Sequence, residues 1–374
     1  MHRSPARRAP LLVALLVTLV LAVLAAVVEV PAGTGRAAAA ALVGRAVETP
    51  ANPLAARPWG VYTGGADGVY PAWQRAKGAR KQLLAKAALR PRVRWFGSWI
   101  PATQVRAKIK DYVTTTQAEA GTPDVLVQLA VFRLWPQGEG AKDEPLTAAD
   151  QAAYRRWVDQ AAAGIGTARV AMVLEPDLGV ALQGWRPSVR MKLTAYAAKK
   201  FGSLPNTHVY LDASSADWLT VPVARDLLLE SGILHVRGFA LGATHYSSLG
   251  SELLYGRQLV AALAAAGVPG RRFVVDTADN GRPFTWLEYW SKHPRGDFDN
   301  AEPCRAKAER KCNTLGVPPT ARVAAKRWGL APAQRTAARR HADAYLWFGR
   351  PWLYRQASPF QLERTLQVAR TTPW

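Results

Sequence analysis

The chain has 374 residues, 49% of them hydrophobic and 20% charged, enough apolar material for a sizeable core in one α/β barrel or two smaller domains. Its 49 Lys and Arg against 27 Asp and Glu give a formal charge of +22. The basic residues are spread along the chain and no run of them is interleaved with stacking aromatics. That speaks against a nucleic-acid partner and leaves a solvated surface attracted to anionic cell walls or an acidic polymer.

In chain order, Arg3, Arg7 and Arg8 precede an unbroken apolar run, Leu11–Val28, and an Ala-rich stretch follows at Ala37–Ala41. This is the layout of a signal peptide. The run also approaches the ~20 residues that a membrane span needs, so residues 11–28 as an uncleaved signal-anchor remain the alternative. Residues 1–48 are therefore read as a leader with an Ala-rich spacer. Residues 49–374 are read as one domain outside the cytoplasm, secreted or held at the outer face of the membrane, and expected to be monomeric.

From Asn52 and Pro53 onward, short apolar or β-branched runs recur at Val93–Trp99, Val125–Phe132, Val170–Leu174, His208–Leu211, Val236–Leu241, Phe273–Val275 and Ala344–Phe348. Between them lie helix candidates over Ala102–Thr114, Ala148–Ala163, Ser188–Phe201 and Glu252–Ala266. Thr147 with Asp150 marks one helix start, and Gly164 and Gly166 its end. Strands alternating with helical crossovers predict a parallel sheet, and near-continuous apolar runs predict strands buried on both faces. Seven of them point to an α/β fold, a closed or nearly closed parallel barrel, with a doubly wound open sheet as the alternative.

Chemistry in such barrels sits on the loops after the strands. There the third run leads into Glu175, Pro176 and Asp177, and the fourth into Asp212, Ser214, Ser215 and Trp218. The fifth leads into Thr244, His245 and Tyr246, and the sixth into Asp276, Asp279 and Asn280. An Asp after a strand is often only a helix cap, but four such ends on one rim predict a polar cleft. The 14 Trp, against 3 Met, lean towards carbohydrate, since an indole offers a flat apolar face and one N–H to a sugar ring. Carboxylates beside Trp then suggest glycoside chemistry. Cys304 and Cys312, an even pair in an exported chain, read as a disulfide, with two reduced thiols as the alternative. A zinc site is not expected from them, nor any cofactor. No glycine-rich turn follows the first strand and no G-x-S-x-G elbow occurs, which disfavours a dinucleotide oxidoreductase and a serine hydrolase.

The stretch Leu174–Leu178 (L-E-P-D-L) resembles the E-P-D-S/A-L signature of glycoside hydrolase family 6. Tyr210–Trp218 resembles Y-L-D-A-G-H-A-G-W, Phe273–Gly281 resembles F-V-I-D-T-S-R-N-G, and Asp343–Trp347 resembles D-A-Y-V-W. Cys312–Thr320 is similar to the family's W-C-N…L-G…P-T block and Asn52–Leu54 to its N-P-F. The blocks run in order over nearly the whole exported domain. The resemblance implies a distorted seven-stranded α/β barrel and inverting hydrolysis of β-1,4-glucans. It also implies a general acid in a P-x-R-D-C loop after the second strand, where Pro136 and Glu139 stand here, with Asp143 and Glu144 as alternatives; Asp177 would support the acid or the ring. The expected sugar-binding set is Trp59, Asp212, Ser215, Trp218, His245, Tyr246, Asp276, Asn280 and Trp347.

The departures are equally specific. The family's base follows its last strand in W-V-K-P-x-G-E-x-D, whereas Trp347–Arg355 carries no carboxylate. The auxiliary Asp after the first strand is absent from Trp95–Ser98, the G-H-A-G-W histidine is Ser215, and Asp279 replaces an arginine. Water activation would fall to Asp276 or to a more remote carboxylate. The other reading is a glycan- or wall-binding protein without turnover, with Trp352 and Tyr354 filling the site.

Overall fold

The computed structural model describes residues 52–55 and 58–374; the leader expected over residues 1–48 lies outside them. No helix among the described residues is long and apolar enough to cross a membrane. In chain order the elements are α1 (Val69–Arg75), α2 (Gly78–Ala88), β1 (Arg94–Gly97), α3 (Ala102–Ala120), β2 (Val127–Phe132), α4 (Ala148–Ile165), β3 (Val170–Leu174) and α5 (Pro187–Gly202). There follow β4 (Thr207–Asp212), α6 (Val221–Glu230), β5 (Gly238–Leu241), α7 (Leu249–Ala265), β6 (Arg272–Asp276), α8 (Trp286–Lys292), α9 (Pro332–His341), β7 (Ala342–Leu346) and α10 (Leu362–Thr371).

The seven strands form one parallel sheet in the order β1 to β7, curled into an open-sided barrel. The doubly wound alternative would have required the strand order to reverse. Across the open side, the amide of Val93 donates to the Trp347 carbonyl (2.9 Å). Strand residues alternate between two cores, as a period of two demands. Val170, Met172 and Leu174 face the helices, while Ala171 and Val173 face the barrel interior with Ala130, Ala240 and Ala344. The small inward residues let the strands curl, and the large outward ones seat the helices.

Two devices fix the ends of the barrel. At the N-terminal end, buried Asp343 accepts from Arg237 Nε (2.9 Å), Arg272 Nε (2.8 Å) and the Tyr210 hydroxyl (2.8 Å), tying β4 and the entries to β5 and β6 to β7. At the C-terminal end, Glu175 Oε2 accepts the amides of Arg133 (2.9 Å) and Leu134 (3.1 Å), and its Oε1 accepts from Tyr154 (2.7 Å). This carboxylate clamps the exit of β2 to that of β3. Helix α4 begins with the expected Thr147–Asp150 capping box. A disulfide joins Cys304 and Cys312.

Candidate active site

A cavity of about 620 Å³ opens at the C-terminal ends of β3, β4 and β5, walled on its far side by the excursion between β6 and β7. Of the residues expected from sequence, Glu139, Asp177, Trp218 and His245 line it.

Asp177 follows the Glu175 clamp directly and has a left-handed backbone (φ 65°). Glu175, Ser214 and Thr244 on the same rim also have positive φ, a concentration of strained non-glycine residues that accompanies functional loops. Thr244 Oγ1 donates to Asp177 Oδ1 (3.1 Å). Burial, with the charges of Glu139 and Asp299 nearby, holds the Asp177 carboxyl well above the usual range, against the opposing pull of His245. Glu139 sits on a short 3-10 turn, Glu139–Ala141. Burial and then the Asp299 charge push its carboxyl up to about 7.

His245 stacks on Trp218 (centroids 5.4 Å apart, planes at 9°) and, on its other face, on Trp286 (6.1 Å, 20°). Its Nδ1 meets Asp217 Oδ1 at 2.9 Å, and the second oxygen of Asp217 accepts the Trp286 amide (2.7 Å). Burial alone would depress the imidazole, but the bond to Asp217 and the charges of Asp217 and Asp177 leave it raised. Asp217 thus holds an aromatic stack of histidine between two indoles at the cavity wall.

The other expected residues lie behind this surface. Asp212 is buried and accepts the Ser214 amide (3.1 Å), its carboxyl driven up by burial and then by Asp177. Ser215 donates to Glu252 Oε1 (2.9 Å), which also accepts the Ala216 amide (2.9 Å) and the Ser247 hydroxyl. Asp276 spends its oxygens on the amides of Ala278 (2.9 Å), Phe348 (3.4 Å) and Gly349, so it shapes the exit of β7 and does not line the cavity. Asn280 donates to the Ser247 carbonyl (3.1 Å). Tyr246 is buried against Phe284 (4.5 Å), beneath the Trp286 wall. Trp347 is buried and donates to the Val317 carbonyl (2.9 Å). Trp59 bridges to Leu126, at the opposite, N-terminal end of β2.

Sequence reasoning missed the far wall. Trp286, Trp290, Asp297 and Asp299 all line the cavity. The only hints were two Trp four residues apart after a Thr–Glu capping box and the acidic pair in G-D-F-D-N. Asp299 is open to solvent at the cavity mouth. Desolvation within the cavity and the neighbouring Asp297 charge nevertheless raise its carboxyl. Asp297 itself pairs with Arg355. Among the described residues no group of three or more His, Cys, Asp or Glu is placed to hold a metal ion.

A second cavity of about 630 Å³ borders β1 and the segment after β7, where Trp95, Trp99 and Arg350 line it. The Arg350 guanidinium lies 3.7 Å from the centre of the Trp95 ring. Burial lowers it to about 9, against the opposing charges of Asp177, Asp276 and Asp299.

Comparison with known proteins gives a consistent kinship. The family model described as glycosyl hydrolases family 6 matches residues 62–351. Endoglucanase A of Cellulomonas fimi is 33% identical over 213 residues, covering 57% of this chain and 44% of that protein. Endoglucanase 1 of Streptomyces halstedii is 29% identical over 211 residues, covering 54% and 63%. The chain thus spans about half the length of these relatives. Among solved structures, the endoglucanase Cel6 from Mycobacterium tuberculosis in complex with methyl-cellobiosyl-4-deoxy-4-thio-β-D-cellobioside superposes with TM-score 0.67 at 24% identity, over 87% of this chain and 100% of that one. The catalytic core of the cellobiohydrolase Cel6A from Chaetomium thermophilum gives 0.65 at 18%, over 86% and 98%. At these identities the structural likeness speaks for the fold.

Proposed function

The chain belongs to glycosyl hydrolases family 6, and from that premise we propose that it is an exported glycosidase cleaving a β-1,4-linked glucan with inversion. The observation that carries this reading is three carboxyls, Glu139, Asp177 and Asp299, brought around one cavity and each held above its ordinary proton affinity. Asp177 is the general acid. It is held rigidly by the strained turn and Thr244, and its carboxyl lies above the ordinary range, so it carries a proton to give to the leaving oxygen. When ionised, Glu139 raises the proton affinity of Asp177 further. This assignment exchanges the roles that the family resemblance alone suggested for the two residues.

Asp299 activates the water. Inversion needs a second carboxylate ~6.5–9.5 Å from the acid, with room for water between them. Asp299 reaches the cavity from the opposite wall and is the most exposed of the three carboxyls, which favours its ionised form relative to Asp177. The family's base at the exit of β7 is replaced in this reading by a carboxylate from the excursion before it. The Trp218–His245–Trp286 stack supplies the apolar surface on which sugar rings rest.

One observation favours a second reading, glycan binding without turnover: the segment after β7, Trp347–Arg355, carries no carboxylate where the family places its base. Reducing-sugar release from β-glucans, measured for wild type, Asp177→Asn, Asp299→Asn and Glu139→Gln, separates the two. The acid–base reading expects Asp177→Asn and Asp299→Asn each to lose about 10²–10⁴-fold in kcat, with Glu139→Gln retaining activity on a lower pH optimum. Release unaffected by Asp299→Asn would remove the base assignment, and binding with no release from any glucan would establish the second reading.

A further inference from the structure

The second cavity holds guanidinium groups that no ion pair among the described residues engages. Three arginines line it. Arg92 is satisfied: it pairs with Asp67 and donates to the carbonyls of Ala87 (2.6 Å) and Ala88 (2.7 Å). Among the described residues Asp67 is the only carboxylate in the lining, and Arg92 occupies it. Arg94 and Arg350 are different. Each is half-buried, and neither takes part in any of the ion pairs among the described residues. Arg94 Nη1 and Arg350 Nε are buried N–H groups without a hydrogen-bond partner. Their guanidinium planes rest on aromatic faces instead, Arg94 5.1 Å from the Tyr62 ring centre and Arg350 on Trp95.

Buried donors are nearly always matched, and a half-buried cation without a paired counter-ion carries a further cost. A planar guanidinium with free N–H edges is matched best by a carboxylate or phosphate, which it grips with two parallel bonds. Beside the arginines, Trp99 is 57% exposed, leaving an indole face open to the same space. An anion alone would leave that face unused, and a neutral sugar would leave the guanidinium edges unmatched.

We propose that the second cavity binds an anionic sugar unit, a pyranose ring bearing a carboxylate or phosphate, with Arg350 and Arg94 gripping the anion and Trp99 packing on the ring. The site goes beyond the hydrolysis reading and is probed by binding alone, so a protein without turnover can still confirm it. The net charge of +22 would draw such a polymer towards the cleft. Because Arg350 covers Trp95, a neutral glucose ring is denied the stacking face that an unobstructed Trp95 would present.

The test is calorimetric titration of the full chain with a β-1,4-linked glucose–glucuronate disaccharide, with cellobiose and with glucose 6-phosphate. The acidic disaccharide is expected to bind about tenfold or more tightly than cellobiose, as a bidentate charged contact warrants, and raising the salt should weaken the acidic ligand alone. Arg350→Gln and Arg94→Gln should each remove most of the preference, and Arg350→Lys should keep part of it. The salt series on wild type serves where a variant does not fold. Glucose 6-phosphate binding like the glucuronate would mean that ring-borne charge is read, and failing to bind would narrow the ligand to a carboxylate. Equal affinity for cellobiose and the acidic disaccharide, or a preference that survives both Gln variants, would overturn the proposal.

Discussion

Replacing Glu175 by Gln should change how the stability of this protein depends on pH. The carboxyl is fully buried and accepts three hydrogen bonds, from Arg133, Leu134 and Tyr154. Burial outweighs those bonds and raises it from 4.5 to about 7. The folded state therefore binds this proton more tightly than the unfolded chain does. The stabilisation is fully present below pH 4.5 and is lost as pH rises towards 7. At about 1.4 kcal/mol per pH unit, the loss from this one residue is about 3 kcal/mol across that window. A glutamine at this position has no proton to lose and keeps an oxygen for the two amides, so Glu175→Gln should flatten this part of the profile. The assay is urea unfolding followed by tryptophan fluorescence at several pH values between 4.5 and 8. Glu175→Ala is the companion: it strands two buried amides and a hydroxyl and should cost about 2–5 kcal/mol at pH 5. Parallel profiles for wild type and Glu175→Gln would refute the reasoning, because the carboxyl would then titrate alike in both states.

Three further outcomes are expected. Asp343→Asn leaves Arg237 and Arg272 facing each other around a neutral group at the base of the barrel, so the urea midpoint should fall by an amount equivalent to about 3–5 kcal/mol. Asp217→Asn removes the partner that raises His245. That stabilisation is present below the unfolded imidazole range and fades as pH climbs through the folded value, so the variant should lose about 1.5–3 kcal/mol at pH 6 and clearly less at pH 9, by thermal unfolding at the two pH values. Cys304→Ser opens a loop closed over a separation of 8 residues and should lower unfolding free energy by roughly 2 kcal/mol, measured without reductant.

Strand positions were legible because burial on both faces writes an unbroken apolar run into the sequence. The run Val170–Leu174 coincides with β3, and the other strands differ from their runs by one to a few residues. Ala344–Phe348 ran past the end of β7 because Trp347 and Phe348 are as apolar and buried as strand residues while already turning out of the sheet. The near side of the cavity was legible too, since Asp177, Trp218 and His245 each lie in the loop that leaves a strand. Asp212 and Asp276 looked identical in that respect, and nothing in a one-dimensional pattern distinguishes a carboxylate aimed into a cleft from one consumed by amides of the next turn. The far wall was hidden for a different reason. Asp299 and Trp286 reach the cavity through long-range folding of an irregular segment that has no period to read.

Between β6 and β7, residues 277–341 contain no strand, yet they provide Trp286, Trp290 and Asp299 to the cavity. This segment is fastened near its middle by the Cys304–Cys312 bridge, whose carbonyl at Cys304 accepts from Gln367 of α10 (2.6 Å). The protein is thus assembled from a chassis and a cassette. The chassis, with Asp177, is rigid through its hydrogen-bonded sheet. The cassette, with Asp299, depends on a covalent clip whose survival is set by the redox poise of its surroundings. Opening the clip would loosen the segment that carries Asp299 while leaving the hydrogen-bonded sheet intact. The same division marks where an engineer should cut: exchanging the cassette alone would recast the water-activating side without disturbing the proton donor.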